Sequence, residues 1–209
     1  MADMTAISAA VKSGRKKIVE QLVKDAVAEG VSAEVILNEG LVVGMNELGD
    51  AFKNGEVFVP EVLVAARAMK AGTAIIKPML MAENVQSLGT VAIGTVEGDL
   101  HDIGKNLVGM MLEGTGFTVM DLGENVEPAK FVEAVKNGAQ IIGMSALLTT
   151  TMPNMSATIK ALEEAGLRDK VKVMIGGAPI TQEYADQIGA DGYSTDAASA
   201  AELAKKLIA

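Results

Sequence analysis

The fold is decided by Thr90-Val91-Ala92-Ile93-Gly94-Thr95-Val96, which runs straight into Glu97-Gly98-Asp99-Leu100-His101-Asp102-Ile103-Gly104-Lys105-Asn106. The first seven residues are uncharged and small or β-branched, the composition of a strand buried on both faces. The next stretch is polar and carries Gly98 and Gly104, and apolar residues then recur at helical spacing near 103–114. The same alternation repeats downstream. Short β-rich runs occur at 117–122 (FTVMDL), 140–145 (QIIGMS), 172–176 (KVMIG) and, weakly, 191–194 (DGYS). Helical patterns lie near 127–137, 153–165, 180–188 and 196–208. Alternating strand and helix predicts a parallel sheet covered on both faces. Five strands over 90–209 fit a flavodoxin-like, Rossmann-like doubly wound α/β domain with strand order 2-1-3-4-5.

Upstream the texture is helical. Ile18, Leu22, Val23 and Val27 recur at helical spacing among Arg15, Lys16, Lys17, Lys24 and Glu29, and Gly30 can end that helix. Ser32 is a candidate N-cap for the next helix, whose apolar face starts at Val35, Ile36 and Leu37 and continues through Leu41, Met45 and Leu48 to Phe52. Asn54-Gly55 signals a turn, and Pro60 suits the first turn of a further helix reaching about Met81. With a short helix near 3–12 these segments predict a four-helix bundle. Ala82–Gly89 is polar and without periodicity, so it is the candidate linker. The expected domains are a helical bundle at 1–85 and an α/β domain at 90–209.

Composition excludes several kinds of site. The 209 residues contain no Cys and no Trp, only two Tyr and four Phe, and a single histidine, His101. Disulfides, thiolate metal sites, iron–sulfur clusters, Cys nucleophiles and paired-His zinc sites are therefore ruled out. A net charge of −9 argues against a nucleic-acid partner. The opening MADMTAISAAVKSGRKKIVEQ has no apolar run with a cleavage site, and no long uninterrupted apolar stretch follows, so the expectation is a soluble, cytoplasmic chain with no membrane partner. The thirteen Met read as adaptable core packing, and Arg15-Lys16-Lys17 as a solvated helix face.

In a doubly wound sheet, ligands bind beyond the carboxyl ends of the strands. Those ends carry the 97–106 loop, Ser145-Ala146-Leu147-Leu148-Thr149-Thr150-Thr151, and Gly176-Gly177-Ala178-Pro179. Asp99 is placed to accept the Nδ1–H of His101, which fixes the tautomer and leaves Nε2 for a metal or a proton. Gly104 permits close backbone approach behind the histidine. One imidazole cannot hold a metal alone, but it supplies an axial bond to a metal already held by a macrocycle. No P-loop, GxGxxG or GxSxG pattern is present. Gly94 and Gly109 read as close helix–sheet packing, and Gly176-Gly177 either as a bare turn or as a ligand-facing surface.

Asp99-x-His101-x-x-Gly104, followed by Ser145-x-Leu147 and then Gly176-Gly177, resembles the signature of base-off/His-on cobalamin-binding proteins. Phe52–Val62 and Ala66–Lys70 resemble the helical cap of cobalamin-dependent methionine synthase and of the small corrinoid proteins of methyltransferase systems, and the likeness spans about residues 10–209. The resemblance implies that His101 is the lower axial ligand of cobalt, that Asp99 hydrogen-bonds it, and that Thr151 continues the relay where methionine synthase has serine. It implies that Ser145 bonds the cofactor's nucleotide tail, Leu147 lines the tail channel, and Gly176-Gly177 let the tail pass. Gly104 makes room beside the corrin, with Asp102, Ile103, Thr149 and Ala178 as further cofactor contacts. Phe52 and Val59 match the cap residues over the methyl group, and the 82–89 linker is the expected hinge.

The function implied is that of a methyl carrier cycling between Co(I) and methyl-Co(III), a non-autonomous corrinoid subunit. A donor-specific methyltransferase loads it, from a methoxylated aromatic, a methylamine or methanol, with a slight lean to the first. A second methyltransferase unloads it to a folate, a pterin or coenzyme M, and a corrinoid-reactivating protein is a further partner. The alternatives are the small subunit of an adenosylcobalamin-dependent isomerase, and a cobalamin sensor, which needs an output module not visible here. A phosphorelay receiver shares the fold but needs an Asp where Ser145 stands.

Overall fold

The computed structural model describes residues 2–83 and 87–209. The chain divides into two compact units, Met1–Gln86 with Gly114–Gly116, and Ser87–Glu113 with Phe117–Ala209. The centre of the expected linker and hinge, residues 84–86, lies outside the described residues.

The first unit is helical. It comprises α1 (Met4–Lys12), α2 (Lys16–Ala28), a continuous run made of α3 (Ala33–Val35), a π-helical segment (Ile36–Val42) and α4 (Val43–Lys53), and then α5 (Val59–Ala82). Local chemistry sets the boundaries. The Asp3 carboxylate accepts from Ala6 N at 3.1 Å and Ser32 Oγ from Val35 N at 3.3 Å, satisfying amides that a helix start leaves unpaired. Pro60 falls in the first turn of α5, where its missing N–H costs nothing. Val11, Val23, Leu41, Met45, Val62 and Ile76 are fully buried and form the centre of this unit.

Two expectations for these helices change. The buried stripe of α2 is Val19, Val23 and Ala26, whereas Ile18 remains 44% exposed. Both stripes have helical spacing, and packing against α5 selects the one offset by a residue. The run after Ser32 contains a π turn that the apolar pattern alone reads as α-helix. Ile36 and Leu41 are both fully buried although five residues apart. In an α-helix that spacing separates side chains by roughly 140°; a π turn brings them to one side.

The second unit alternates strand and helix: β1 (Thr90–Thr95), α6 (Ile103–Gly114), β2 (Thr118–Asp121), α7 (Pro128–Lys136), β3 (Ile141–Ser145), α8 (Pro153–Glu164), a 3-10 turn (Arg168–Lys170), β4 (Lys172–Gly176), α9 (Gln182–Ile188), β5 (Gly192–Tyr193) and α10 (Ala197–Ile208). All strand pairs are parallel and the order is β2-β1-β3-β4-β5, as the alternation predicts. Ile142, Val173 and Ile175 of the sheet pack with Phe131, Met155 and Leu162 of the helices in one core, each such side chain contributing about 1.5–3 kcal/mol by leaving water. A Cβ on Gly94 would lie 2.9 Å from Phe131, and one on Gly109 2.7 Å from Ile93, so both glycines serve helix–sheet packing. Among the described residues, no helix is long and apolar enough to cross a membrane.

The register places Thr95, Ser145 and Gly176 side by side, so the carboxyl ends of β1, β3 and β4 form one rim. Gly177 then turns with φ +136° against the backbone of Ala146, so closely that any Cβ would collide with the Ala146 carbonyl oxygen. Gly177→Ala should therefore lower unfolding stability by more than about 2 kcal/mol in chemical denaturation, because left-handed strain and overpacking add. A change below about 0.5 kcal/mol would show that the β3 and β4 loops are not wedged together.

Candidate functional site

The rim is organised around one carboxylate. Asp99, in the loop after β1, is fully buried. Its Oδ1 accepts from His101 N at 3.0 Å and faces His101 Nδ1 at 2.7 Å. Its Oδ2 accepts from Leu147 N at 2.8 Å, Leu148 N at 3.2 Å and Thr151 Oγ1 at 2.8 Å. Thr151 Oγ1 also lies 2.9 Å from Leu148 O, so its single proton serves one acceptor at a time. Burial opposes the charge on Asp99, but the amides of Leu147 and His101, the imidazole and the Thr151 hydroxyl outweigh it and hold the carboxyl well below the usual carboxylate range.

That arrangement dictates the state of the histidine. An ionised carboxylate only accepts, so the Nδ1 facing it carries the proton, and in the neutral ring Nε2 is left with its lone pair. The His101 side chain is 51% exposed. Thr95, itself fully buried, donates from Oγ1 to His101 O at 3.1 Å and so fixes the backbone at the histidine. The loops after β1 and β3, with the first residue of α6, leave the large apolar side chains of Leu100, Ile103, Leu147 and Leu148 exposed. Exposed apolar side chains grouped on one rim are the kind of surface that takes a ligand. Nothing lies within 4 Å of a Cβ placed on Gly104, which leaves open space at the start of α6.

The other residues singled out in the sequence divide into groups. Ser145 and Gly176 end β3 and β4 in register, both partly buried, and Gly177 and Ala178 follow them exposed. Thr149 is exposed on the β3 loop. Asp102 precedes α6 and its carboxylate accepts from Asn106 Nδ2 at 2.8 Å. Phe52 and Val59 belong to the helical unit, at the end of α4 and the start of α5, are partly buried, and form no part of the hydrogen-bonded cluster.

Sequence reasoning missed the paired amides of Leu147 and Leu148, because main-chain donors leave no mark in residue type. It also missed Lys105. That side chain is almost wholly buried, donates to Asn106 Oδ1 at 2.8 Å and pairs with Asp121, tying the start of α6 to the end of β2. A charged residue in an otherwise apolar helical pattern was the available signal.

The donor set fits a metal already held equatorially. It offers a half-exposed imidazole whose Nδ1 is held by Asp99, leaving Nε2 as its one free ring nitrogen, with exposed apolar side chains on the same loops. Among the described residues, no group of three or more His, Cys, Asp or Glu could hold a metal ion unaided.

The electrostatics predict an acid limit. A depressed carboxyl pKa adds stability in full above its unfolded value of 3.8, and loses it as pH falls further toward the folded value. Stability should therefore drop below about pH 4. Asp99→Asn, which turns an amide toward facing donors, should cost about 2–4 kcal/mol at pH 7 and flatten that drop, measured by denaturant unfolding at pH 7 and pH 3. Parallel pH profiles for the two proteins would remove Asp99 as the source.

Comparisons with known proteins identify the family. Residues 89–202 and residues 4–77 each match a family model described as a B12 binding domain. The dimethylamine corrinoid protein of Methanosarcina barkeri is 48% identical over 203 residues, covering 96% of this chain and 94% of that one. The crystal structure of a novel cobalamin-binding protein from Desulfitobacterium hafniense DCB-2 superimposes with a TM-score of 0.84 at 31% identity, covering 100% of both chains. The methanol:cobalamin methyltransferase complex MtaBC of Methanosarcina barkeri gives a TM-score of 0.85 at 30% identity, covering 98% of this chain and 79% of that one. With an imidazole of fixed tautomer on the rim of a doubly wound sheet, and both B12-binding models matched along its length, the chain belongs to the small corrinoid proteins of methyltransferase systems.

Proposed function

We propose that this chain is a methyl carrier working between two partner enzymes. The observation that carries the reading is the Asp99–His101 pair, a half-exposed imidazole on the rim held through Nδ1 by a buried carboxylate. The bound corrinoid supplies the cobalt that takes up the methyl group and hands it on. The protein's own part is binding, orientation and proton control. In this reading His101 Nε2 is the lower axial ligand in a base-off/His-on arrangement. Asp99 fixes the tautomer and orientation of the ring, and the Thr151 hydroxyl bonds the second carboxylate oxygen. Gly104 makes room beside the corrin, Ser145 bonds the nucleotide tail, Leu147 lines its channel and Gly176-Gly177 let it pass, with Asp102, Ile103, Thr149 and Ala178 as further cofactor contacts. Residues 90–209 act as the cobalamin-binding domain and 1–85 as the helical cap, with Phe52 and Val59 as the capping residues on the family pattern.

The partners in this reading are a donor-specific methyltransferase and a second methyltransferase that uses a folate, a pterin or coenzyme M, with a corrinoid-reactivating protein to restore the reduced state. The relative named for dimethylamine and the complex named for methanol support a methylamine or methanol as the first donors to test, ahead of the methoxylated aromatic that general resemblance favoured.

Reconstitution with methylcobalamin tests the axial role. The wild-type spectrum should be that of a nitrogen-ligated cobalt, and His101→Ala should move the visible band to the position of cofactor lacking a lower nitrogen ligand. Identical spectra would overturn the assignment. Tighter binding of adenosyl- than of methylcobalamin would favour the isomerase reading instead.

A further inference from the structure

Asn125 is the one described non-glycine residue with a positive φ, 52°. Its setting explains why. Beyond β2 the chain stays beside β1: Leu122 N donates to Ile93 O at 2.8 Å and Val126 N to Thr95 O at 2.9 Å. Leu122 to Val126 thus runs opposite Ile93 to Thr95, and the surplus residues bulge out, with Gly123 at φ 88° and Asn125 in the left-handed region. The bulge presses Asn125 onto the loop that carries Asp99 and His101. Asn125 Oδ1 accepts from Gly98 N at 2.7 Å, and Asn125 N donates to Asp99 O at 3.0 Å.

These two bonds complete the wiring of that loop. Asn154 Nδ2 donates to Glu97 O at 2.7 Å, Asp99 N donates to Val96 O at 3.1 Å, His101 N is held by Asp99 Oδ1, and His101 O by Thr95 Oγ1. Gly98, with φ 81°, is the pivot immediately before the carboxylate, and its N–H is gripped by Asn125. Residues that tolerate the left-handed region are few, and of these Asn and Asp also offer a side-chain acceptor. One residue therefore meets two requirements, the bulge conformation and the clamp on Gly98.

We propose that Asn125 is a positioning residue for His101. By holding Gly98 and Asp99 it selects the loop conformer in which the imidazole Nδ1 meets Asp99 and Nε2 is presented to the metal. Without the clamp, Gly98 regains its freedom and the presenting conformer loses population. The proposal rests on His101 being the axial ligand.

Three substitutions separate the two requirements. Asn125→Asp keeps both the acceptor and the left-handed tolerance, Asn125→Gly keeps only the backbone conformation, and Asn125→Ala keeps neither. Because His101 is the only histidine, 15N-histidine labelling gives a single imidazole to follow. In the apoprotein, nitrogen NMR reads the share of Nδ1-protonated, carboxylate-bonded ring. In the methylcobalamin-loaded protein, the visible spectrum reads the ratio of nitrogen-ligated to unligated cobalt. Asn125→Gly should lower both ratios about ten-fold, the size expected for one lost hydrogen bond, and Asn125→Asp should restore them to within about two-fold of wild type. If Asn125→Gly matches wild type in the apoprotein, the proposal is overturned, whatever Asn125→Ala does to folding. If Asp fails to rescue a drop seen in Gly, it is overturned as well. Failure of the axial reading looks different: the wild-type Nε2 signal would not move on loading, while the apoprotein comparison would still decide the role of Asn125.

Discussion

A carboxylate removed from water is tolerated only where donors replace the solvent, and the rim of this protein is built to meet that requirement for Asp99. The consequences spread outward from those bonds. The β3 loop has to bring two consecutive amides and a hydroxyl to one oxygen, so its path after Ser145 is set by a residue in another loop. The imidazole has to offer a proton on Nδ1, so its second nitrogen is unprotonated when the ring is neutral. A buried charge here serves orientation, since turning the ring away would cost the carboxylate one of its donors.

The sheet makes that construction possible. Parallel strands in the order β2-β1-β3-β4-β5 put three carboxyl ends next to one another, and the register across Thr95, Ser145 and Gly176 levels them. The loops then interlock through backbone contacts that demand particular residues, Gly177 against Ala146 and Asn125 against Gly98. Lys105 with Asp121 ties α6 to the edge strand beside them. The apolar side chains left exposed on this rim, Leu100, Ile103, Leu147 and Leu148, gain nothing by themselves in water. Under the proposed function they are the bed for the cofactor, and a single histidine is sufficient because a macrocycle supplies the remaining ligands.

Much of this was legible in the residues. The β-rich runs and the helical stretches between them fall within a residue or two of the observed elements, because local alternation and the residues at helix starts are properties of short segments. Asp99 and His101 were recognisable as a pair, since their side-chain chemistry is distinctive and they stand two residues apart in one loop, whereas Thr151, 52 positions from Asp99, was named only through the family resemblance. Other features were not legible. The α2 stripe was placed on Ile18 instead of Val19, because both positions have the same periodicity and only the neighbouring helix distinguishes them. The π turn at Ile36–Val42 depends on which residues a three-dimensional core accepts. The amides of Leu147 and Leu148 belong to the main chain, which every residue shares.

The sequence by itself determined the doubly wound topology, the helical segments before it, the absence of thiolate chemistry and the presence of one imidazole next to a carboxylate. Those follow from residue type and spacing, which act over a few positions. Only the tertiary structure decided that Asp99 is wholly buried, that its second oxygen is met by the β3 loop some fifty positions away, and that Asn125 clamps the loop between them. The reason is physical. Desolvation and hydrogen-bond satisfaction depend on which segments meet in space, and packing of the whole sheet, with its helices in place, is what brings those segments together.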